Sequence, residues 1–244
     1  METTSMIALS RQAVLKREMS VIANNIANMN TGGFKGEKML FIQHLTKNPN
    51  ADGRPGHQLS FVRDIATVRD TSPGAMEKTG GKFDLAIQDE GYFVIQTDEG
   101  ERFTRAGRFR LDDGGQLVTM AGDPVLSDAD QPLFFAPEET EIAIAGDGTI
   151  STENGTIGKL RVASFDNPQS LRPVQGGLYR ATTEAVEVER PAIVQGMLEK
   201  SNVEPVIEMS NMIEVSRSYQ SVSKFIEKED ERVRRMMREL VGGQ

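Results

Sequence analysis

Acidic side chains that could do chemistry crowd one stretch of the chain. It contains Asp84, Asp89, Glu90, Asp98 and Glu99. A glycosidase uses two such carboxyl groups, one as the acid and the other as base or nucleophile. Aspartate, glutamate and glycine are also the residues that tight turns between strands require. We therefore favour turns and predict no catalytic residue, with a glycan-cleaving enzyme as the remote alternative.

The chain offers little that could hold a metal or a cofactor. It has no cysteine and only two histidines, His44 and His57, which excludes disulfides, thiolate sites and a histidine cluster. Asp128 and Asp130 do not match the ligand spacing of a calcium loop. Residues 31–36, TGGFKG, lack the spacing of a phosphate-binding loop and follow a predicted helix instead of preceding one. We predict no metal site and no cofactor.

The formal net charge of −8 is unevenly distributed. Residues 32–200 carry all of it, and the two ends of the chain are nearly balanced. No part offers the basic excess that nucleic acids attract, so we predict no nucleic-acid partner. No run approaches the roughly 18 apolar residues of a membrane span, and residues 1–10 lack the pattern of a secretory signal. We expect no direct membrane insertion and no cleaved signal peptide.

Two segments repeat apolar residues in alternating steps of three and four. The N-terminal series is Leu15, Met19, Ile22, Ile26 and Met29. The C-terminal series is Met212, Val215, Tyr219, Val222, Ile226, Val233, Met236 and Leu240, interrupted by Glu229. Apolar residues at roughly every 3.5 positions predict a narrow seam on a helix, which must be buried against other helices. We expect the two ends to meet as a coiled-coil-like unit. A plain two-helix stalk or a dimerising coiled coil stays open.

The predicted N-terminal helix begins within residues 2–5 and ends near Met29, and the C-terminal helix runs from about Pro205 to Leu240. Asn24, Asn25 and Asn28 are poor helix formers in the last turns of the first helix. They either fray the helix end or hydrogen-bond to neighbouring chains, and we favour the second interpretation. The charged tail at residues 227–239 is either a solvated face or pairs with neighbouring subunits.

Residues 80–188 contain short strand-like runs separated by turn signals such as Asp89-Glu90-Gly91. The predicted fold class is α+β, with an antiparallel β-rich domain, a sandwich or partly open barrel, inserted between the terminal helices. Five segments follow from this pattern. They are the N-terminal helix (1–31), a connector (32–79), the β-rich outer domain (80–190), a return connector (191–204) and the C-terminal helix (205–244).

Several segments, in this order, resemble signatures of the bacterial flagellar rod and hook family. They are ANNIANMNTGGFK (23–35), FDLAIQDEGYF (83–93), FTRAGRF (103–109), GQLVT (115–119) and GMLEKSNV (196–203), followed by EM (208–209), MI (212–213) and RSY (217–219). Residues 123–190 carry little of the resemblance. Because the matches extend over nearly the whole chain, they identify it as a member of this family far better than any one of them would.

The resemblance implies a structural subunit of the flagellar basal-body rod and not an enzyme. It is closest to the proximal-rod members, with a distal-rod protein, the hook protein and a non-flagellar coiled-coil adaptor as alternatives. The implied partners are copies of itself, other rod proteins and the flagellar export apparatus, and the implied location is the periplasmic rod. We expect the terminal helices to form the assembly interface. Its predicted residues are Leu15, Met19, Ile22, Asn24, Asn25, Ile26, Asn28, Met29, Met212, Val215, Tyr219, Val222, Ile226 and Val233.

Overall fold

The computed structural model describes residues 2–47, 58–139 and 141–241. Residues 48–56, a turn-rich part of the predicted connector, lie outside the described residues. Two long helices enclose a β region in the order of the chain: α1 (Glu2–Ala27) comes first and α2 (Pro205–Val241) comes last. Short 3₁₀ turns occur at Pro168–Ser170 and Gln175–Gly177. The α+β class and both predicted helices are confirmed.

Seventeen strands lie within the described ranges. They are β1 (Glu37–Lys47), β2 (Gln58–Arg69), β3 (Met76–Lys78), β4 (Leu85–Ile87), β5 (Tyr92–Thr97), β6 (Gly100–Thr104), β7 (Phe109–Leu111), β8 (Leu117–Thr119), β9 (Ala143–Ile144), β10 (Thr149–Thr152), β11 (Gly155–Lys159), β12 (Val162–Ser164), β13 (Arg172–Pro173), β14 (Tyr179–Arg180), β15 (Val186–Glu187), β16 (Ile193–Gln195) and β17 (Met197–Glu199). Strands β16 and β17 fall in the segment that the sequence pattern assigned to a return connector.

The chain divides into two compact units. The helical unit contains Met1–Ala27, Glu37–Val68 and Glu204–Gln244. The β-rich unit contains Asn28–Gly36 and Arg69–Val203. Residues 32–36 and 69–79 of the predicted connector thus belong to the β-rich unit. The predicted division into five segments concerns roles in assembly and stays a prediction.

In the helical unit, α1 and α2 pack against each other through the predicted apolar seams. Leu15, Ile22 and Val215 form a buried cluster. The side chain of Gln12 donates a hydrogen bond of 2.7 Å to Ser223 Oγ. Glu18, farther along α1, lies near Glu214, which is earlier in α2. The two helices therefore run antiparallel. Strands β1 and β2 pair with each other in the same unit.

The β-rich unit is built around a six-stranded sheet in the order β13-β14-β6-β5-β12-β15, in which every neighbouring pair is antiparallel. A three-stranded sheet, β11-β10-β9, and the pairs β16-β4, β17-β3 and β7-β8 complete it. None of the sheets formed by the described residues closes into a barrel.

Strand β5 separates two apolar cores, because successive side chains of a strand point to opposite faces. Phe93 and Ile95 belong to one core cluster and Val94 to the other, and all three are completely buried. The second cluster is rich in aromatic rings in edge-to-face contact, such as Tyr92 with Phe165 at 5.9 Å between ring centroids. The β-rich unit is thus well packed on both faces of its central strand.

Candidate functional site

The predicted seam residues lie together, but the contact that brings them together is within one chain. Around the buried cluster of Leu15, Ile22 and Val215 pack partly buried neighbours. These neighbours are Met19, Ile26, Met212, Tyr219 and Val222. Ile226 and Val233 continue the same face of α2 and are half-buried. Met29 belongs to the β-rich unit, where it lines an open groove of about 860 Å³.

Asn25 has both groups of its side-chain amide engaged by its own chain. Its Nδ2 donates to the carbonyl of Glu37 at 2.8 Å, and its Oδ1 accepts from the Glu37 amide at 3.0 Å. The side chain is 2% exposed. The Asn25 amide therefore needs no partner in a neighbouring subunit, and it anchors the end of α1 to the start of β1.

The other two asparagines occupy different surroundings. Asn28 Oδ1 accepts a hydrogen bond of 3.2 Å from the hydroxyl of Thr31. This contact lies directly after the C-terminal end of α1. Asn24 is exposed on α1. A role for Asn24 and Asn28 between subunits stays a prediction.

A second apolar stripe runs along α2 on the side opposite the seam. Val206, Met209 and Ile213 are 77%, 48% and 54% exposed. Their spacing of three and four residues puts them on one face of α2. Val206 precedes Val215 by nine residues, which is two and a half helical turns, so the two side chains point to opposite sides of the helix. Sequence reasoning missed this stripe because the long seam dominates the periodicity of α2. The signal was a second set of apolar residues at helical spacing in the first turns of the helix.

The β-rich unit contains a buried ion network that sequence reasoning did not predict. The carboxylate of Glu199 accepts a hydrogen bond of 2.6 Å from Lys35 Nζ and one of 2.9 Å from Arg105 Nε. The backbone amide of Gly74 donates to the same carboxylate at 2.9 Å. Lys35, Arg105 and Glu199 are only 2%, 6% and 2% exposed, respectively. One carboxylate thus joins two cations out of contact with water.

The remaining donors of this network reach backbone carbonyls. Lys35 Nζ also donates to the carbonyl of Ser72 at 2.8 Å. The guanidinium of Arg105 donates to the carbonyls of Asp89 and Gly91 at 2.7 Å each. Buried charges are tolerated when they are paired and hydrogen-bonded in this way.

Burial and charge act against each other on the ionisable groups of the network. Burial alone would raise the pKa of Glu199, but Arg105, Lys35 and the Gly74 amide together hold that pKa below its ordinary value. The pKa of Lys35 is lowered by burial, and nearby Arg105 adds to this effect, although Glu199 opposes it. The network therefore depends on the Glu199 carboxylate being charged.

The ion network lies within a chain junction that we define as residues 33–36, 70–74 and 199–202, three passages of the chain in the β-rich unit. The amide of Gly33 donates to the carbonyl of Glu199 at 2.8 Å, and the amide of Gly36 donates to Asn202 Oδ1 at 2.8 Å. Asn202 Nδ2 donates to the carbonyl of Asp70 at 2.9 Å. The junction thus binds all three passages to one another.

Gly33 shows how closely the junction is packed. Its φ of +69° is a conformation that side chains disfavour. A Cβ atom at this position would lie 2.4 Å from the backbone carbon of Arg105. The glycine is therefore required both by its conformation and by the space available.

Comparison with known proteins decides the family. Three family models match separate parts of the chain: "Flagella basal body rod protein" matches residues 4–35, "Flagellar hook protein FlgE/F/G D1 domain" matches 86–152, and "Flagellar basal body rod FlgEFG protein C-terminal" matches 194–239. A flagellar basal-body rod protein FlgF of Caulobacter vibrioides is 39% identical over 93% of both chains. The chain belongs to the flagellar basal-body rod protein family.

Other relatives agree with this family. A FlgF of Rhizobium meliloti is 34% identical over 91% of both chains. A FlgG of Buchnera aphidicola is 33% identical, over 89% of this chain and 92% of the relative. The predictions of a structural protein, of a rod subunit and of a place in the basal body are confirmed by the family.

The three matched regions meet in the ion network. Lys35 lies in the first, Arg105 in the second and Glu199 in the third. The rod family signatures that are far apart in sequence therefore converge on one buried contact in the β-rich unit.

Membrane spans and metal clusters are both absent from the part of the chain that the structure describes. Neither α1 nor α2 is long and apolar enough to span a membrane. Within the described ranges, no three histidine or acidic side chains come together as a group that could hold a metal ion.

Proposed function

We propose that this chain is a subunit of the proximal rod, which polymerises through α1 and α2 and transmits torque from the motor towards the hook. The observation that carries the proposal is the incomplete burial of the helical unit. Its α2 is 37 residues long, yet Val215 is its single buried apolar residue among the side chains described, and a second apolar stripe is exposed. Helices of this kind need neighbours to bury their apolar faces.

The assembly interface comprises the predicted seam residues, with coiled-coil-like packing of helices from several subunits. In the polymer the half-buried members, such as Met19, Ile226 and Val233, complete their burial against neighbouring chains. The β-rich domain, a sandwich-like body, lies outside the helical tube. Partners are copies of this chain and other rod proteins, delivered to the periplasmic rod by the flagellar export apparatus.

The proximal rod is favoured over the distal rod by the relatives. Those named FlgF include the relative at 39% identity, and those named FlgG reach 32–33%. FlgF is the proximal-rod member that the sequence signatures also resemble. The compact size of the β-rich domain agrees with this position.

Deletion of the chain's gene, followed by purification of basal bodies, tests the proposal. We expect cells without flagella and basal bodies that lack the distal rod, with both restored by the wild-type gene. Basal bodies that keep the distal rod after deletion would contradict a proximal position. Normal flagella after deletion would contradict a rod function altogether.

A further inference from the structure

The β-rich unit contains a polar cavity of about 420 Å³ beside the buried ion network. Lys35 and Arg105 of the network lie in its wall. Asp89 and Glu90, whose side chains are exposed, lie at its rim. Cavities of about 300–1,000 Å³ are typical of small-molecule sites. The chemistry of the wall and rim, which we treat together as the polar cavity, therefore indicates what it could bind.

One side chain in the wall has a hydrogen-bonding group that the protein does not use. Tyr92 lines the cavity and is 7% exposed, and its ring packs edge-to-face on Phe165 and Tyr179. Its hydroxyl has no hydrogen-bond partner among the described residues. Of the described polar side-chain atoms that lack a partner, only Glu208 Oε2 is sealed from solvent. The Tyr92 hydroxyl is therefore accessible, and a ligand in the cavity can supply the partner that a buried tyrosine usually has.

The Tyr92 hydroxyl is a donor at neutral pH. Burial raises its pKa above the ordinary value, although Arg105 and Arg69 oppose this effect. The group therefore keeps its proton and can donate to an acceptor such as a carboxylate oxygen. The guanidinium carbon of Arg105 lies 6.0 Å from the centre of the Tyr92 ring, so a positive charge stands close to this donor.

The charges around this part of the wall favour an anion. Lys35 and Arg105 bring two positive charges against the one negative charge of Glu199. Arg69 and Asp70 act on the same groups from nearby and add one charge of each sign. One positive charge is thus left in surroundings that contain little water, where its attraction for a carboxylate is strong.

The rim of the polar cavity has the opposite charge. Neither Asp89 nor Glu90 forms an ion pair with a described residue. Arg105 fixes their turn, because its guanidinium donates to the carbonyls of Asp89 and Gly91 at 2.7 Å each. A cationic group of a ligand would therefore meet negative charge at a fixed position.

Apolar surface completes the lining. It comes from Pro73, Phe165 and Pro168. The polar cavity thus combines a donor beside positive charge, an apolar surface and a negative rim. A molecule that matches all three has a carboxylate, an apolar group and an ammonium group.

We propose that the polar cavity binds a small zwitterion, namely an α-amino acid with an apolar side chain. Its carboxylate accepts a hydrogen bond from the Tyr92 hydroxyl and faces the charge of Arg105. Its ammonium group lies at Asp89 and Glu90, and its side chain packs against Phe165. The proposal goes beyond the rod function and does not depend on it.

Titration calorimetry of the full chain tests the proposal with three related probes. L-leucine carries both charged groups, isocaproate lacks the ammonium group, and isoamylamine lacks the carboxylate. We expect L-leucine to bind with a Kd below about 1 mM and each of the other two to bind at least about tenfold more weakly. No binding of L-leucine overturns the site. Binding of isocaproate or isoamylamine as tight as that of L-leucine overturns the assignment to a zwitterion.

Tyr92→Phe isolates the hydroxyl, because it keeps the ring that packs in the β-rich unit. We expect L-leucine to bind this variant about tenfold more weakly, since a hydrogen bond to a charged group is lost. Tyr219→Phe makes the same change at a half-buried position in the helical unit and should not alter binding. Wild-type affinity in Tyr92→Phe overturns the proposed role of the hydroxyl. The variant should unfold at nearly the wild-type temperature, because the hydroxyl has no partner among the described residues.

Asp89→Asn with Glu90→Gln tests the rim. This variant should bind L-leucine several-fold more weakly without weakening isocaproate. Glu184→Gln with Glu187→Gln removes two exposed carboxylates elsewhere in the same unit and is the matched control. Equal affinity of the rim variant and the control for L-leucine overturns the ammonium contact.

Nuclear magnetic resonance of the wild-type chain gives a test that needs no variant. We expect L-leucine to shift the ring signals of Tyr92 and to leave those of Tyr219 unchanged. Unshifted Tyr92 signals at saturating L-leucine overturn the site. All of these measurements use the isolated chain, so a negative result leaves the rod function intact. Normal flagella after deletion of the gene would contradict the rod function and leave the binding site unaffected.

Discussion

The two units of the chain bury their apolar side chains to different degrees. In the β-rich unit, Phe93, Val94 and Ile95 are completely buried. In the described part of the helical unit, the most buried apolar side chains are Ile22 at 6% and Val215 at 7% exposure. Among the described side chains, one unit therefore has a dry core of its own, whereas the other shows a thin contact between two helices.

This difference indicates where the stability of the isolated chain comes from. Burial of apolar surface stabilises by about 25 cal/mol per Å², and isolated helices without packing partners are marginal in water. We therefore predict that the β-rich unit folds without neighbours and that the helical unit gains much of its burial in the rod. The following predictions test this contrast, from the largest expected effect on the isolated chain to the smallest.

Glu199→Ala should have the largest effect. It leaves Lys35 and Arg105 buried without their carboxylate, and breaking a buried pair in this way costs about 3–5 kcal/mol. Urea unfolding at pH 7, followed by a probe of the β-rich unit, measures the loss. Glu187→Ala, at an exposed position on β15, is the control and should change the free energy of unfolding little. A loss below about 1 kcal/mol for Glu199→Ala would mean that the network adds nothing to the β-rich unit.

Gly33→Ala should also destabilise the β-rich unit, for two separable reasons. The left-handed conformation costs a side chain about 1–3 kcal/mol, and the new Cβ would overlap the backbone of Arg105. Gly80→Ala is the matched control, because Gly80 has nearly the same φ of +73° and no other atom would lie within 4 Å of its new Cβ. The difference between their free energies of unfolding isolates the overlap. Equal losses would contradict the close packing of the junction.

Asn25→Ala should have an intermediate effect that is confined to the helical unit. It removes the side chain that pairs with the amide and carbonyl of half-buried Glu37, and the loss of one such hydrogen bond costs about 0.5–1.5 kcal/mol. We expect the Glu37 amide to exchange with solvent much faster. Asn24→Ala is the control and should leave that amide unchanged. An unchanged exchange rate in Asn25→Ala would contradict this anchoring role and leave Asn25 with a role between subunits only.

Ile226→Asp should have the smallest effect on the isolated chain and still prevent rod assembly. Ile226 is only half-buried, so we expect a change below about 1 kcal/mol in the free energy of unfolding. In the rod the carboxylate would enter a buried seam, at a cost of several kcal/mol. Motility and thermal unfolding of the variant measure the two effects, with exposed Lys228→Asp as the control. Normal swimming by Ile226→Asp would place the seam outside the assembly interface.

Local patterns made much of this fold predictable from sequence. The spacing of Met212, Val215 and Tyr219 depends only on one helix, and the strand around Phe93 lies between turn residues. Asn25 and Glu37, by contrast, are joined by a contact that no periodicity encodes. Lys35 and Glu199 are 164 positions apart, and short strands such as β16 and β17 owe their pairing to distant partners. The ion network and these strands therefore required the three-dimensional structure.

Hydrogen exchange of the isolated wild-type chain tests the contrast between the two units most directly. We expect the openings that expose the amides of β5 and β6 to cost nearly the full free energy of unfolding. Those that expose the amides of residues 5–26 and 206–239 should cost at least about 3 kcal/mol less. In purified rods the helical amides should become as protected as those of the β-rich unit. Equal and strong protection of both units in the dilute chain would contradict the account, because the helices would then be complete without neighbours.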